Sequence, residues 1–237
     1  MTVWRDEPTD VVVAIDGPAG AGKSTVARGV ADRTDLRYLD TGATYRALTH
    51  ALLRAGVPPD DPAQVAAAAA GVKLELRPSP DEPRVLRVWL DGEMPSGELR
   101  APEVNRAVSP VSAVPAVREQ LVALQRAAMA GGSIVAEGRD VGTAVWPQAD
   151  VKVFLTADAG ERARRRAADE GDAAATALAE RDRLDASRSA SPTRAHPRAV
   201  VLDSTGRTAA DMIDEVVTLV EAARRRTRRP GPSGGGL

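Results

Sequence analysis

VVVAIDGPAGAGKST, residues Val11 to Thr25, runs an unbroken apolar stretch into a glycine-rich turn and then into the opening of a helix. An apolar run without polar alternation suits a central parallel strand covered on both faces. Gly17, Gly22, Lys23 and Ser24 satisfy G-x-x-x-x-G-K-[ST], the phosphate-binding loop pattern. Gly17, Gly20 and Gly22 let the backbone approach a polyphosphate with several amides turned toward it. The helix that follows offers its free amides and partial positive charge to an anion, Lys23 reaches the outer phosphates, and the Ser24 hydroxyl suits a magnesium ion. The expected cradle is therefore Gly17, Pro18, Ala19, Gly20, Ala21, Gly22, Lys23, Ser24 and Thr25, with a nucleoside triphosphate and Mg2+ as its ligands. Lys23, Lys73 and Lys152 are the only lysines among many arginines, and a compact ammonium is not interchangeable with a planar guanidinium. The alternative is a glycine-rich turn without a ligand. Taken alone, the loop does not separate a kinase from a switch or a motor.

The rest of the composition narrows the chemistry. At 237 residues the chain is long enough to bury a substantial core. A formal net charge of -1 argues against a general nucleic-acid binder. Cysteine is absent, which excludes disulfides, thiol catalysis and cysteine-ligated metals. His50 and His196 stand far apart without metal-ligand spacing and read as ordinary helix or surface residues. Acid–base work must fall to carboxylates or need no protein base. The sequence shows neither a signal-peptide pattern nor an apolar run of membrane-spanning length, so a cytoplasmic location is expected. A monomer is the default expectation, because no long apolar surface helix is evident.

Along the chain, strand and helix patterns alternate. The first strand is expected at Val11 to Ile15 and its helix at Lys23 to Arg33. Tyr38-Leu39-Asp40-Thr41-Gly42 reads as a short extended piece and a turn, followed by a helix from Ala43 to Arg54 that Gly56, Pro58 and Pro59 end. An alanine-rich helix at Pro62 to Ala70 leads to two strand-like runs, Val72 to Leu76 and Arg84 to Leu90, before the Asp91-Gly92 turn. This antiparallel pair reads as a substrate-binding insert and not a piece of the sheet; a structural flap is the alternative. Ala101 to Ala130 is helical with breaks at Pro110 and Pro115, and Ser133 to Ala136 is a strand that runs into Glu137-Gly138-Arg139-Asp140. Val151 to Leu155 is a further strand, Asp158 to Arg188 is helical with a break near Gly171, and Val200 to Asp203 precedes a helix from Thr208 to Arg226. Thr227 to Leu237 is rich in arginine, proline and glycine and is expected to be disordered. Such alternation implies a doubly wound parallel sheet with right-handed crossovers and an α/β fold. Ligands of these sheets sit at the carboxyl ends of strands, where the P-loop, Asp40-Thr41-Gly42 and Arg139-Asp140 should meet.

Phosphoryl transfer needs positive charge and in-line placement more than covalent chemistry from the protein. Arg46, Arg139, Arg181 and Arg188 lie at or after predicted element ends and can supply that charge. In ERDRLDASR, residues Glu180 to Arg188, the spacing puts Arg181, Asp185 and Arg188 on one helical face. A solvated, salt-bridged helix is the plainer reading of that run.

GPAGAGKST, LDTGATYR, VNRAVSPVSAVPAVRE, EGRDVGT and ERDRLDASR followed by VLDST, in this order, resemble bacterial cytidylate kinases from Val11 to about Val220. The resemblance implies a P-loop NTPase fold of about residues 10–226, with a nucleoside monophosphate-binding insert near 60–113 and a helical lid near 162–188. It also implies transfer from ATP to CMP, and to dCMP. Position by position it places Thr41, Ser109, Arg118 and Asp140 on cytosine and Arg46, Arg139 and Arg188 on the acceptor phosphate. Arg181 and Asp185 fall on the ribose and the transferring phosphoryl group, so Lys23, Arg139, Arg181 and Arg188 are the expected catalytic set. Thr41 replaces a serine of the family pattern, which keeps the hydroxyl and adds a methyl. The segment from Glu161 to Glu180 is shorter than in some relatives, with Arg162 and Arg166 as candidate ATP contacts. Two rival classes stand beside this reading: a kinase for another small acceptor, and a nucleotide-dependent switch.

Overall fold

The protein, as a computed structural model, is described over residues 10–95, 97–170 and 193–227. Its strands are β1 (Val12–Asp16), β2 (Arg37–Asp40), β3 (Leu74–Pro78), β4 (Val85–Leu90), β5 (Ile134–Gly138), β6 (Val151–Thr156) and β7 (Val200–Asp203). The helices are α1 (Lys23–Thr34), α2 (Thr41–Arg54), α3 (Pro62–Ala69), α4 (Pro102–Ala113), α5 (Pro115–Met129), α6 (Ala159–Glu170) and α7 (Ala209–Thr227). One seven-stranded sheet runs in the order β3-β4-β2-β5-β1-β6-β7, and every neighbouring pair but β3 with β4 is parallel.

Alternation along β1 explains the two-sided cover. Val11, Val13 and Ile15 face a cluster that includes Val26 and Val30 of α1 and Met212, Val216 and Val220 of α7. Val12 and Ala14 face the opposite cluster, with Leu39, Met129, Val141 and Val145. Successive strand side chains point to opposite faces, so an unbroken apolar run is what a strand buried on both sides requires. Each fully buried valine or leucine contributes about 1.5–3 kcal/mol. A third cluster, with Leu48, Leu52, Val65, Val117 and Leu121, joins α2, α3 and α5 beside the sheet.

Register fixes the site. β1 lies between β5 and β6, with Asp16 opposite Gly138 and Phe154. The chain leaves β1 toward β2 on one side and leaves β5 toward β6 on the other. The loops after β1 and β5 therefore diverge and open the crevice in which doubly wound folds hold ligands.

Several expectations are corrected. The antiparallel pair joins the sheet: β4 pairs with β2 through Tyr38↔Val85 and Leu39↔Leu86, because buried amides at the edge of β2 need partners. Pro110 does not break the helix but lies inside α4. The break comes at Val114 (φ -70, ψ 121), which is extended as a residue before proline tends to be. Ser133 (φ 49) turns the chain before β5 begins. Thr227, assigned to the tail, is the last residue of α7, and Arg224 Nη2 of that helix donates to the Thr34 carbonyl over 2.6 Å. The rest of the tail lies outside the described residues, as do Arg181, Asp185 and Arg188 with the lid beyond α6.

Candidate active site

A cavity of about 300 Å³ opens at the carboxyl ends of β1, β2 and β5. Its walls include Gly20, Gly22, Lys23, Ser24, Thr25, Thr41, Arg46, Arg118, Glu137, Arg139 and Asp140. The three segments that chain order predicted to meet do meet. Gly17, Pro18 and Ala21 lie in the turn behind this lining.

The P-loop is held by backbone contacts. Gly17 has φ 150, and a Cβ there would overlap the Leu155 carbonyl oxygen. Gly20 has φ 74, and a Cβ there would come 2.8 Å from the Arg162 carbonyl oxygen. Both positions therefore exclude a side chain. Arg162, a candidate ATP contact, donates to the carbonyls of Ala19 (3.3 Å) and Ala157 (3.1 Å), supporting the loop from outside. Arg165 donates to Ser204 Oγ, which lies 3.1 Å from the Ala21 carbonyl. Arg166 does line the cavity.

Lys23 Nζ donates to the Pro18 carbonyl over 2.7 Å, and its charge is felt by the Asp16 and Glu137 carboxylates. Asp16 accepts from the amides of Val141 and Gly142, each over 2.7 Å. Burial nevertheless pushes its carboxyl up to about 7, against those amides, with Asp140 adding to the rise and Lys23 opposing it. Glu137 accepts from Tyr38 Oη over 2.7 Å and from the Ser24 hydroxyl. Burial, then the charge of Asp40, raises the Glu137 carboxyl above its ordinary range. Ser24 and Glu137 thus form one polar spot on the phosphate side.

Asp40 and Arg46 form a second unit. Asp40 caps α2 by accepting from the Ala43 amide (3.1 Å) and accepts from Arg46 Nη2 (2.5 Å). Burial opposes ionisation of Asp40, but the charge and hydrogen bond of Arg46 outweigh it and hold the carboxyl below its ordinary value. Burial likewise opposes the charge on Arg46, and Asp40 overrides it. Arg46 Nε is buried without a hydrogen-bond partner among the described residues, a donor left over for an anion.

On the far wall Arg118 Nη2 donates to Asp140 Oδ2, with both side chains about nine-tenths buried. The Arg118 guanidinium also lies 5.9 Å from the Tyr45 ring centroid. Thr41 Oγ1 donates to the Glu137 carbonyl (2.7 Å), so its lone pairs stay available to an incoming donor. Ser109 is buried within α4, while Ser112, one turn on, reaches the cavity wall. Arg139 Nη1 donates to the Gly17 carbonyl at 3.3 Å, tying the acceptor loop to the P-loop.

Asp16, Glu137, Arg100, Asn105 and Ser204 were not among the predicted site residues, and Asp40 was placed at the ligand edge without a role. For the three carboxylates a signal existed, since each falls at the carboxyl end of a strand: Asp16 ends β1, Asp40 ends β2 and Glu137 is the last residue but one of β5. Nothing local marks Arg100 or Asn105. Among the described residues no group of three or more histidine or acidic side chains is arranged to hold a metal, and no helix is long and apolar enough to cross a membrane.

The family described as Cytidylate kinase matches residues 13–222. The chain is 50% identical to a cytidylate kinase of Mycolicibacterium paratuberculosis, over 90% of this chain and 96% of the relative. It is 47% identical to one of Mycobacterium leprae, over 90% and 96%, and 43% identical to one of Symbiobacterium thermophilum, also over 90% and 96%.

Proposed function

The chain belongs to the cytidylate kinase family, and from that premise we propose how its cavity moves the terminal phosphoryl group of ATP onto CMP. The triphosphate lies on the amides of the P-loop and the amino end of α1, with Lys23 against its outer phosphates. Ser24 and Glu137 fit Mg2+ as a hydroxyl and a carboxylate already in contact, and an ion held by few protein groups plus phosphates and water is the usual mode for this metal. When bound, the ion supplies charge neutralisation on the phosphates.

Arg46 and Arg139 hold the CMP phosphate, a reading supported by the leftover Arg46 donor. The family resemblance assigns Arg188 to the same phosphate, with Arg181 and Asp185 on the ribose and the migrating group. The resemblance places those three in a lid, whose closure would exclude water from the transfer. Residues near 60–113 serve as the acceptor-binding insert, supported by Arg100, Val108 and Ser112 in the cavity wall. dCMP offers the same base and phosphate and is proposed as a second acceptor. A monomer is proposed as the working unit: among the described residues the exposed large apolar side chains are Met94, Val200 and Val201.

The buried Arg118–Asp140 pair carries the choice of base. Cytosine presents an amino donor at position 4 and an acceptor at ring nitrogen 3; uracil presents the reverse. A carboxylate accepts and a guanidinium donates. The pair uses Asp140 Oδ2, which leaves Oδ1 for the amino group, with Arg118 toward the ring nitrogen and the Thr41 hydroxyl as a further acceptor. A buried polar mismatch costs roughly 1–3 kcal/mol per group, so two mismatches give about a hundredfold preference for CMP over UMP. Coupled assays with ATP and a panel of monophosphates test this and separate the enzyme from a kinase of another acceptor or a switch. Asp140→Ala removes one of the two mismatches and should narrow the CMP-to-UMP ratio about tenfold. An equal loss on both acceptors would instead assign Asp140 to phosphate or metal chemistry.

A further inference from the structure

Asp140 opens a short turn, Val141–Val145, that is held from two sides by residues outside the cavity lining. The turn has the wide i→i+5 closure, with the Trp146 amide donating to the Val141 carbonyl over 2.7 Å. Single turns of this kind recur at functional sites. Its first two amides, Val141 and Gly142, donate to the two oxygens of Asp16, each over 2.7 Å. Its last two carbonyls, Ala144 and Val145, accept from Arg126 Nη2 and Nε, each over 2.8 Å. Both ends of the turn are thus closed by ionisable side chains, and an ionised partner makes stronger hydrogen bonds than a neutral one does.

The clamps come from elements already committed to the reaction. Asp16 ends β1 and immediately precedes Gly17 of the P-loop. Arg126 lies on α5 eight residues after Arg118, about two helical turns, so both project toward the same wall. The turn also sits close on the sheet: a Cβ on Gly142 would come 3.2 Å from Asp16 Oδ2 and 3.4 Å from the Ala14 Cβ. An amide pair aimed at a carboxylate from that distance has little freedom to shift.

We propose that Asp16 and Arg126 are positioning residues for base selection, which hold the Val141–Val145 turn so that Asp140 stays aligned with Arg118 for an amino-bearing pyrimidine. This rests on the reading of Arg118 and Asp140 as the cytosine contacts. Asp16 has a second consequence by its place in the chain. The carboxylate that seats the base-reading turn is attached directly to the phosphate-binding loop, so the base of the acceptor and the phosphates of the donor are set from one strand end.

Arg126 is exposed, so Arg126→Ala should fold, and it is the primary variant. Its KM for CMP should rise about tenfold while the KM for ATP and the kcat at saturating CMP stay within about twofold. The CMP-to-UMP ratio of kcat/KM should narrow about tenfold. Arg126→Lys, which can still donate to one carbonyl, should recover part of that ratio. Asp16→Asn, which keeps one acceptor oxygen for the two amides, should move the ratio the same way. Asp140→Ala run in parallel separates the two levels. If Asp140→Ala leaves the ratio unchanged, the base reading fails and this inference with it. If Asp140→Ala narrows the ratio while Arg126→Ala and Asp16→Asn do not, the positioning role alone is overturned. A rise in both KM values at constant ratio would also overturn it, because a merely structural loss affects both ligands. Adding Arg126→Ala to Asp140→Ala should leave the ratio where Asp140→Ala put it; full additivity would count against the inference.

Discussion

The donor cradle and the acceptor wall of the one cavity are built by different means. The cradle is backbone: glycines at φ 74 and 89, helix-end amides, and carbonyls that neighbouring groups hold from outside. The acceptor wall is side-chain charge: Asp40 with Arg46, and Arg118 with Asp140, the latter joined across 22 residues of sequence. A backbone cradle recognises what all nucleoside triphosphates share. A wall of oriented ion pairs discriminates, because each donor or acceptor has a sign that the wrong base violates. The side built from local sequence is therefore generic, and the side assembled by the fold is selective.

Lys23→Ala breaks the donor side alone and should have the largest effect. It removes charge from the developing transition state without touching the core, so kcat should fall on the order of a thousandfold or more, as for other electrostatic stabilisers. The melting curve should stay near that of the parent. Near-normal turnover in the folded variant would overturn the assignment of the cradle.

Asp16 sits at the junction of the two sides and gives a pH-dependent effect. Its carboxyl is raised from 3.8 to about 7 by burial, with Asp140 adding and Lys23 opposing. Between those values the folded protein holds a proton that the unfolded chain has lost, so the contribution of Asp16 to stability falls as pH rises from about 4 to about 7. The total swing is about 4 kcal/mol. Asp16→Asn removes it, so chemical denaturation of variant and parent should show their difference moving in favour of the variant across that range. A difference that does not change with pH would mean that Asp16 titrates at its ordinary value.

Arg46→Ala sharpens the comparison on the acceptor side and should have the smallest effect. A hydrogen bond to a charged group contributes about 1.5–3 kcal/mol, so the KM for CMP should rise roughly ten- to a hundredfold with the KM for ATP nearly constant. If ATP binding weakened equally, Arg46 would belong to the donor side and the division drawn between the walls would fail.

What could be read from residues alone follows the same division. The P-loop was legible because its function requires particular residues at consecutive positions, and a strand buried on both faces writes itself as an unbroken apolar run. The meeting of three loops followed from chain order, since carboxyl ends of parallel strands lie on one side. The fate of the antiparallel pair was not legible: whether β4 stands apart or pairs with β2 depends on which edge amides are left unpaired after the sheet assembles. Pro110 misled for a related reason, because packing can compensate one missing helical hydrogen bond where propensity alone predicts a stop. The bond from the Arg162 guanidinium to the Ala19 carbonyl had no sequence signal, because it joins the P-loop to α6 across more than a hundred residues. The sequence by itself determined the chemistry of the donor, since backbone conformation answers to nearby residues. Only the tertiary structure decided that Asp16 and Arg126 close the Val141–Val145 turn and that Arg118 meets Asp140. Those contacts join strand ends and helices from distant parts of the chain, and hydrogen-bond geometry between them exists only once the sheet is registered.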